Sequence, residues 1–229
     1  AIYLENLGNP AFNIPDYEPI VEMARRKGIC VMVDNTFGMG GYIFSPFEWG
    51  ANVSIHSASK WICGHGTALG GVVVDGGNFD WTPEKYPLLA APSESYHGLV
   101  YKDVFGPAAF AGRVRVDGLR NIGPSPSPFN SFLMLQGLET LSLRAERCCE
   151  NTLAIAEFLE RHPAVKSVNY PGLKSNPYHE LGCKYLRHGF GGVLTFRVKG
   201  GFEAAAALVT RLELILHVGS VGDAKSLIV

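Results

Sequence analysis

ICVMVD at positions 29–34 is a run of five apolar residues that ends in a carboxylate. A continuous apolar run of this length, with Gly28 before it, predicts a strand that is buried on both faces. The preceding residues predict a helix that begins after Asp16 and ends at Gly28. Extended stretches at 52–56 and 69–74 predict two more strands. This alternation predicts an α/β layer with a largely parallel sheet.

The second half of the chain predicts a smaller α+β unit. Apolar residues at helical spacing from 128 to 161 predict a helical region that breaks at Gly137 and stops before Pro163. Beyond it, the pattern predicts strands at 165–170, 193–198 and 214–218 and helices at 178–186 and 202–212. We therefore divide the chain into a large domain at 1–138 and a small domain at 139–229.

The composition narrows the classes of function. The 229 residues are 47% hydrophobic and 18% charged, which is enough apolar material for a core and excludes disorder. The net charge of −1 gives no reason to expect nucleic acid or a membrane surface as a partner, so a small molecule is favoured. The five cysteines lack a CxxC pair and predict reduced thiols. Because the chain has neither a signal peptide nor an apolar span, we expect a cytoplasmic protein.

Two residues with complementary chemistry follow predicted strands. Asp34 ends one strand, and Lys60 lies 26 positions later in a turn with Ser57 and Ser59. The carboxyl ends of parallel strands share one edge of a sheet, so both residues could face the same crevice. A neutral lysine can form a Schiff base, an aspartate can hold a pyridinium nitrogen protonated, and hydroxyls can bind phosphate. The same residues also suit ordinary turns after strands, and the pattern alone leaves both interpretations open.

Other motifs favour structural roles. The glycine cluster GHGTALGG at 64–71 has neither dinucleotide-fold nor P-loop spacing and predicts turns. His56, Cys63 and His65 lack the paired spacing of zinc ligands, so no metal site is predicted. Cys63 has no evident base partner and predicts a small buried thiol.

Three segments in order carry a resemblance to a known family. ENLGNP at 5–10, VDNTF at 33–37 and SASKW at 57–61 resemble the fold-type I pyridoxal-phosphate (PLP) enzymes of cysteine and methionine metabolism, the cystathionine γ-synthase-like group. Further segments, among them GLETL at 137–141 and VGDAKSL at 221–227, are similar to the O-acetylhomoserine sulfhydrylases within that group. The resemblance covers the whole chain. It implies a PLP-dependent transferase fold with a mostly parallel large domain and a smaller C-terminal domain.

The resemblance also implies roles for individual residues. Lys60 would hold the cofactor as a Schiff base and move protons between substrate carbons. Asp34 would contact the pyridinium nitrogen, and Ser57 and Ser59 would bind the phosphate. Asn9 and Thr36 would contact the cofactor ring. Ser220 would contact the substrate carboxylate.

The implied reaction is a γ-replacement on O-acetyl-L-homoserine, in which acetate leaves and a nucleophile such as sulfide adds. Cys63 and the segment HVGSV at 217–221 depart from the sulfhydrylase pattern, so a carbon or amine nucleophile stays open as an alternative. A γ- or β-lyase and a non-catalytic PLP-binding subunit also stay open. The family's upstream phosphate loop and its carboxylate-binding arginine would fall outside 1–229, which suggests a piece of a longer polypeptide. A homotetramer is implied, with the loop-rich stretch at 81–112 as a candidate contact.

Overall fold

The computed structural model describes residues 1–229, and its N-terminal part is built on a four-stranded sheet. The strands are β1 Ile2–Glu5, β2 Val31–Asp34, β3 Val53–Ser57 and β4 Gly71–Asp75, in that order across the sheet. β1, β2 and β3 are parallel, and β4 runs antiparallel to β3. The predicted α/β layer with a mostly parallel sheet is therefore confirmed.

Helix α1, Tyr17–Lys27, connects β1 to β2 and has the bounds that the sequence predicted. It buries Tyr17, Val21 and Ala24 against the sheet, and Gly28 ends it in the left-handed conformation at φ +56°. Asp16 immediately precedes the helix, as the sequence predicted, but its carboxylate makes no capping hydrogen bond and instead accepts the hydroxyl of Tyr185. The start of α1 is thus fixed by a contact with a residue 169 positions later in the chain.

The loop-rich stretch at 81–112 contains several short helices. These are α2 Pro87–Ala90, α3 Tyr101–Phe105 and α4 Ala109–Arg113, followed by a π-helical segment at Val114–Arg120. Trp81 and Tyr101 from this stretch form a second buried cluster with Cys30 and Val53 on the sheet. Both faces of β2 are therefore packed, as the apolar run predicted.

Two long helices follow, α5 Pro128–Glu139 and α6 Leu141–Arg161. The predicted break at Gly137 is wrong, because the helix ends at Glu139 and the chain turns at Thr140. Gly137 stays helical, since its role is close packing: a Cβ there would lie 2.3 Å from the backbone oxygens of Ile62 and Cys63.

The remaining elements form the predicted α+β arrangement. They are β5 Val165–Asn169, α7 His179–Tyr185, β6 Thr195–Val198, α8 Gly201–Thr210, β7 Leu216–His217 and β8 Leu227–Ile228. β5 pairs antiparallel with β6, and β7 pairs parallel with β8, a strand that the sequence pattern did not predict. α6 contacts both halves, because Cys149 joins the core beside β1 and β2 while Ala156 packs with Tyr170. The domain boundary near residue 138 stays a prediction.

No helix in the chain combines the length and the apolar composition that a membrane crossing requires. All five cysteines are free thiols.

Candidate active site

The candidate site lies where β2 and β3 end. Asp34 is the last residue of β2 and Ser57 is the last residue of β3. Asp34 aligns with Ile55 in the parallel register, so Ser57 extends two residues further along the neighbouring strand. The turn at 58–63 follows and carries Lys60. The sheet thus places the predicted carboxylate, hydroxyls and amine at one edge.

Asp34 is half-buried and held by two donors. Its Oδ1 accepts the N–H of Thr36 at 3.0 Å, and its Oδ2 accepts the Tyr3 hydroxyl at 3.3 Å. Burial, together with the Asp34 charge, raises the pKa of Tyr3, which therefore stays a donor. The neighbouring His56 is buried, and this burial lowers its pKa. The orientation of the Asp34 carboxylate is fixed by its two donors, Thr36 and Tyr3.

The hydroxyl residues differ in how they are engaged. The Ser57 N–H donates to Thr36 Oγ1 at 2.8 Å, while the Ser57 hydroxyl has no partner within the chain and is free for a ligand. Ser59 Oγ accepts the Gly70 N–H at 2.9 Å and donates to the Gly70 carbonyl at 3.2 Å. The Ser59 proton is therefore used by the backbone, and Thr36 positions Ser57.

Lys60 meets a residue from the other end of the chain. Its Nζ donates to Ser220 Oγ at 3.2 Å, across a separation of 160 positions. Ser220 lies between β7 and β8, and that segment rests on the lysine turn through a hydrogen bond of 2.8 Å from the Ala224 N–H to the Gly64 carbonyl. The structure thus brings together the proposed amine and the proposed substrate-contacting hydroxyl.

Gly222 allows this close approach. Its φ is +76°, and a Cβ at this position would lie 2.7 Å from the Trp61 nitrogen. Only glycine combines that backbone conformation with that distance. Sequence reasoning missed the role of Gly222, because nothing in the local pattern shows which backbone it will face.

Asn9 is not brought into this group. It is exposed, and its N–H donates to Glu5 Oε2 at 3.2 Å. Asn6, three residues earlier, is 1% exposed, and its N–H donates to the Asp34 carbonyl at 3.0 Å. The Asn6 amide oxygen and nitrogen have no partner within the chain. A buried amide without a partner needs a further polar group to bond with. In the sequence, only the position of Asn6 directly after a strand pointed to such a role.

The donor set fits a phosphorylated pyridine aldehyde. Lys60 supplies a primary amine, Asp34 supplies a carboxylate with fixed orientation, and Ser57 supplies a free hydroxyl. These groups match an aldehyde, a protonated ring nitrogen and a phosphate, respectively. Cys63 is fully buried, as predicted. No three His, Cys, Asp or Glu side chains of the chain are grouped so as to hold a metal ion.

Comparison with known proteins gives a consistent result. The family profile described as Cys/Met metabolism PLP-dependent enzyme matches residues 1–229. Homocysteine/cysteine synthase of Kluyveromyces lactis is 52% identical, over 100% of this chain and 54% of that protein. O-acetyl-L-homoserine sulfhydrylase 1 of Thermus thermophilus is 51% identical, over 99% of this chain and 54% of that protein.

A solved structure agrees in fold. It is a putative O-acetylhomoserine (thiol)-lyase from Campylobacter jejuni that carries a pyridoxyl-lysine monophosphate. Its TM-score is 0.94 at 39% identity, over 99% of this chain and 56% of that chain. The chain thus spans about half the length of the relatives it matches. These findings confirm the resemblance inferred from 5–10, 33–37 and 57–61, and the chain belongs to the family of PLP-dependent enzymes of cysteine and methionine metabolism.

Proposed function

We propose that the full-length protein is a PLP-dependent transferase that replaces the acetate of O-acetyl-L-homoserine with sulfide and so forms homocysteine. The observation that carries this proposal is the Lys60 amine, half-buried at the ends of parallel strands and 3.2 Å from Ser220 Oγ. The names of relatives that are 48–52% identical, homocysteine synthase and O-acetyl-L-homoserine sulfhydrylase, support the choice of reaction.

In this proposal, Lys60 is the catalytic residue. Its amine would hold the cofactor through the aldehyde carbon and, when the substrate's amine takes that place, would act as a base first at Cα and then at Cβ. Bound PLP supplies an electron sink for the charge that develops at these carbons. The Asp34 carboxylate keeps the ring nitrogen protonated, because an anion at short range favours the charged form of a base.

The other residues bind and orient. The free Ser57 hydroxyl donates to the phosphate, whereas Ser59 must release the Gly70 carbonyl before its proton can do the same. Ser220 Oγ, held at Lys60 Nζ, binds the substrate carboxylate. Thr36 supports the ring side by holding Ser57, and the ring contact of Asn9 stays a prediction.

We also propose a cytoplasmic homotetramer that takes up an amino-acid substrate and a nucleophile as separate small molecules. The relatives are metabolic enzymes by name, which supports small-molecule partners. Size-exclusion chromatography with light scattering tests the assembly, and a mass of one or two subunits would contradict the tetramer.

The test of the reaction is an assay of the full-length protein with PLP and O-acetyl-L-homoserine, in which products are identified by mass. Homocysteine formed from added sulfide supports the proposal. If acetate is released with carbon or amine adducts and little homocysteine, the nucleophile is a carbon or amine compound rather than sulfide. A 2-oxo acid and ammonia formed without any nucleophile would indicate a lyase.

A variant tests the assigned lysine. Lys60→Ala removes the group that moves the proton, so turnover should fall at least about 1000-fold. Lys225→Ala serves as a matched control, since the Lys225 side chain is exposed and its amine makes only a 3.6 Å ion pair with Asp223. Turnover that survives in Lys60→Ala would refute the assignment.

A further inference from the structure

Arg144 on α6 contacts the backbone directly after Lys60. Its Nη1 donates to the Trp61 carbonyl at 3.0 Å, across a separation of 83 positions. Its Nη2 donates to the Gly137 carbonyl at 2.6 Å, and its Nε donates to Thr140 Oγ1 at 3.1 Å. One guanidinium thus joins the lysine turn, the end of α5 and the start of α6.

Arg144 has no carboxylate partner, since none of the ion pairs in the chain includes it. The side chain is half-buried, and this burial lowers the pKa of the guanidinium. An arginine nevertheless keeps its charge in a protein, so the partly desolvated cation depends on its three oxygen acceptors. The planar guanidinium donates to three acceptors in fixed directions, so it holds the segments that carry them in a fixed arrangement.

Glycines make the junction tight on both sides of the turn. A Cβ at Gly64 would lie 2.2 Å from Arg144 Nη1, and a Cβ at Gly137 would lie 2.3 Å from the carbonyl oxygens of Ile62 and Cys63. The backbone at 61–64 therefore has α5 on one side and the guanidinium on the other, and a Cβ at Gly64 or Gly137 would displace one of them.

The clamped turn is bonded back to the lysine. The Gly64 N–H donates to the Lys60 carbonyl at 2.7 Å, and the Cys63 N–H donates to the Ala58 carbonyl at 2.9 Å. Movement of 61–64 would therefore move the Lys60 backbone and, with it, Nζ relative to Asp34. Displacements of about 1 Å at reacting groups cost roughly 100-fold in rate.

We propose that Arg144 is a positioning residue that fixes Lys60 by clamping the turn after it to the junction of α5 and α6. This inference rests on the proposed function, because it assumes that Lys60 carries the cofactor. Arg144 itself touches neither cofactor nor substrate; it acts through the backbone of Trp61.

The experiment uses the full-length holoenzyme with Arg144→Met, Arg144→Lys and the control Arg147→Met. Arg147 lies on the same helix with its side chain 74% exposed. The readouts are kcat, KM for O-acetyl-L-homoserine and the melting temperature of the holoenzyme, and the rate at which PLP added back to the apoenzyme becomes fixed to Lys60. Borohydride reduction and peptide mass give this rate independently of turnover.

For Arg144→Met we expect kcat and the rate of PLP attachment to fall roughly 10- to 100-fold, with KM changed less than about threefold. Arg144→Lys should recover little of either rate, since an ammonium cannot reproduce a three-acceptor fork. Arg147→Met should behave as wild type.

The following outcomes would overturn the inference. Arg144→Met with wild-type kcat and attachment rate would do so at any melting temperature, because Arg144 would then have at most a structural role. Full rescue by Arg144→Lys would show that charge matters rather than geometry. If Arg144→Met does not fold, Thr140→Val removes one acceptor: a two- to fivefold lower attachment rate supports the clamp, and an unchanged rate refutes it. Wild-type protein that never fixes PLP on Lys60 would refute the proposed function, which distinguishes that failure from the failure of the Arg144 inference.

Discussion

The two ends of the chain that meet at Lys60 are packed very differently. In residues 1–75, Val31, Val33 and Val53 are at most 1% exposed, and the main core of 15 buried residues draws largely on this region. In residues 195–229, helix α8 has no buried residue and the strand β7 is exposed. The first region supplies Lys60 and Asp34, and the second supplies Ser220.

Under the proposed function, this difference separates two tasks of the site. Holding an amine and a carboxylate in a fixed relation requires strands and turns whose positions are set by a dense core. A substrate contact can lie on a lightly packed segment, because small movements there adjust binding without disturbing the framework. The contrast in packing therefore predicts that variants in the two regions fail in different ways.

The largest effect in this comparison should come from the dense core. Phe44→Ala removes a ring that is 1% exposed and should lower the free energy of unfolding by roughly 3–5 kcal/mol, because it leaves a cavity. Phe202→Ala on α8 is the matched variant, since that ring is 82% exposed and its loss should change stability by no more than about 0.5 kcal/mol. Denaturant titration of both variants gives the comparison.

An equal loss of stability in the two phenylalanine variants would contradict the difference in packing between the two regions. It would mean that α8 is covered in the full-length protein, and that the second region is as firmly held as the first. Hydrogen exchange at residues 201–210 would then show strong protection.

A smaller effect should come from the contact between the regions. Gly222→Val places a branched side chain against Trp61 and also strains a backbone at φ +76°, so the 220–224 segment should move off the lysine turn. We expect kcat/KM to fall at least about tenfold while the core stays folded. Gly219→Ala is the control, because a Cβ there meets nothing within 4 Å.

Ser220→Ala should sharpen the comparison, since it removes one hydroxyl without moving the segment. If Ser220 binds the substrate carboxylate, KM for the amino acid should rise roughly 3- to 10-fold with kcat changed less. Steady-state kinetics decide the point. A fall in kcat at constant KM would instead assign Ser220 to the chemistry at Lys60.

The smallest effect concerns pH and again lies in the dense region. Burial lowers the pKa of His56 in the folded chain, whereas an unfolded histidine binds a proton near pH 6.5. The unfolded state therefore binds more protons below about pH 6.5, and folding stability falls as the pH drops, by at most about 1.4 kcal/mol per pH unit. His56→Gln should reduce the loss of melting temperature between about pH 7.5 and pH 5.5.

The exposed His217 gives the control, and His217→Gln should leave the pH dependence as in wild type. If His56→Gln melts with the wild-type pH dependence, then His56 titrates in the folded chain as it does in the unfolded one.

The sequence predicted most of the elements because their causes are local. The apolar run at 29–34 became β2, and Gly28 ended α1, since burial of a strand and the freedom of glycine are properties of a few consecutive residues. The break at Gly137 was wrong for the opposite reason. Gly137 packs against the carbonyls of Ile62 and Cys63, which lie about 75 positions away in the chain, and this contact is why a glycine is needed there.

The residues of the candidate site show the same difference between local and long-range causes. The sequence by itself determined the family and the candidate Lys60, Asp34 and Ser57, because the chemistry of the cofactor demands those side chains close to strand ends. Only the tertiary structure decided that Ser220 meets Lys60, that Arg144 clamps the lysine turn, and that Ser59 is engaged by Gly70. Those contacts depend on how distant segments pack, and packing is set by the whole core rather than by any local pattern.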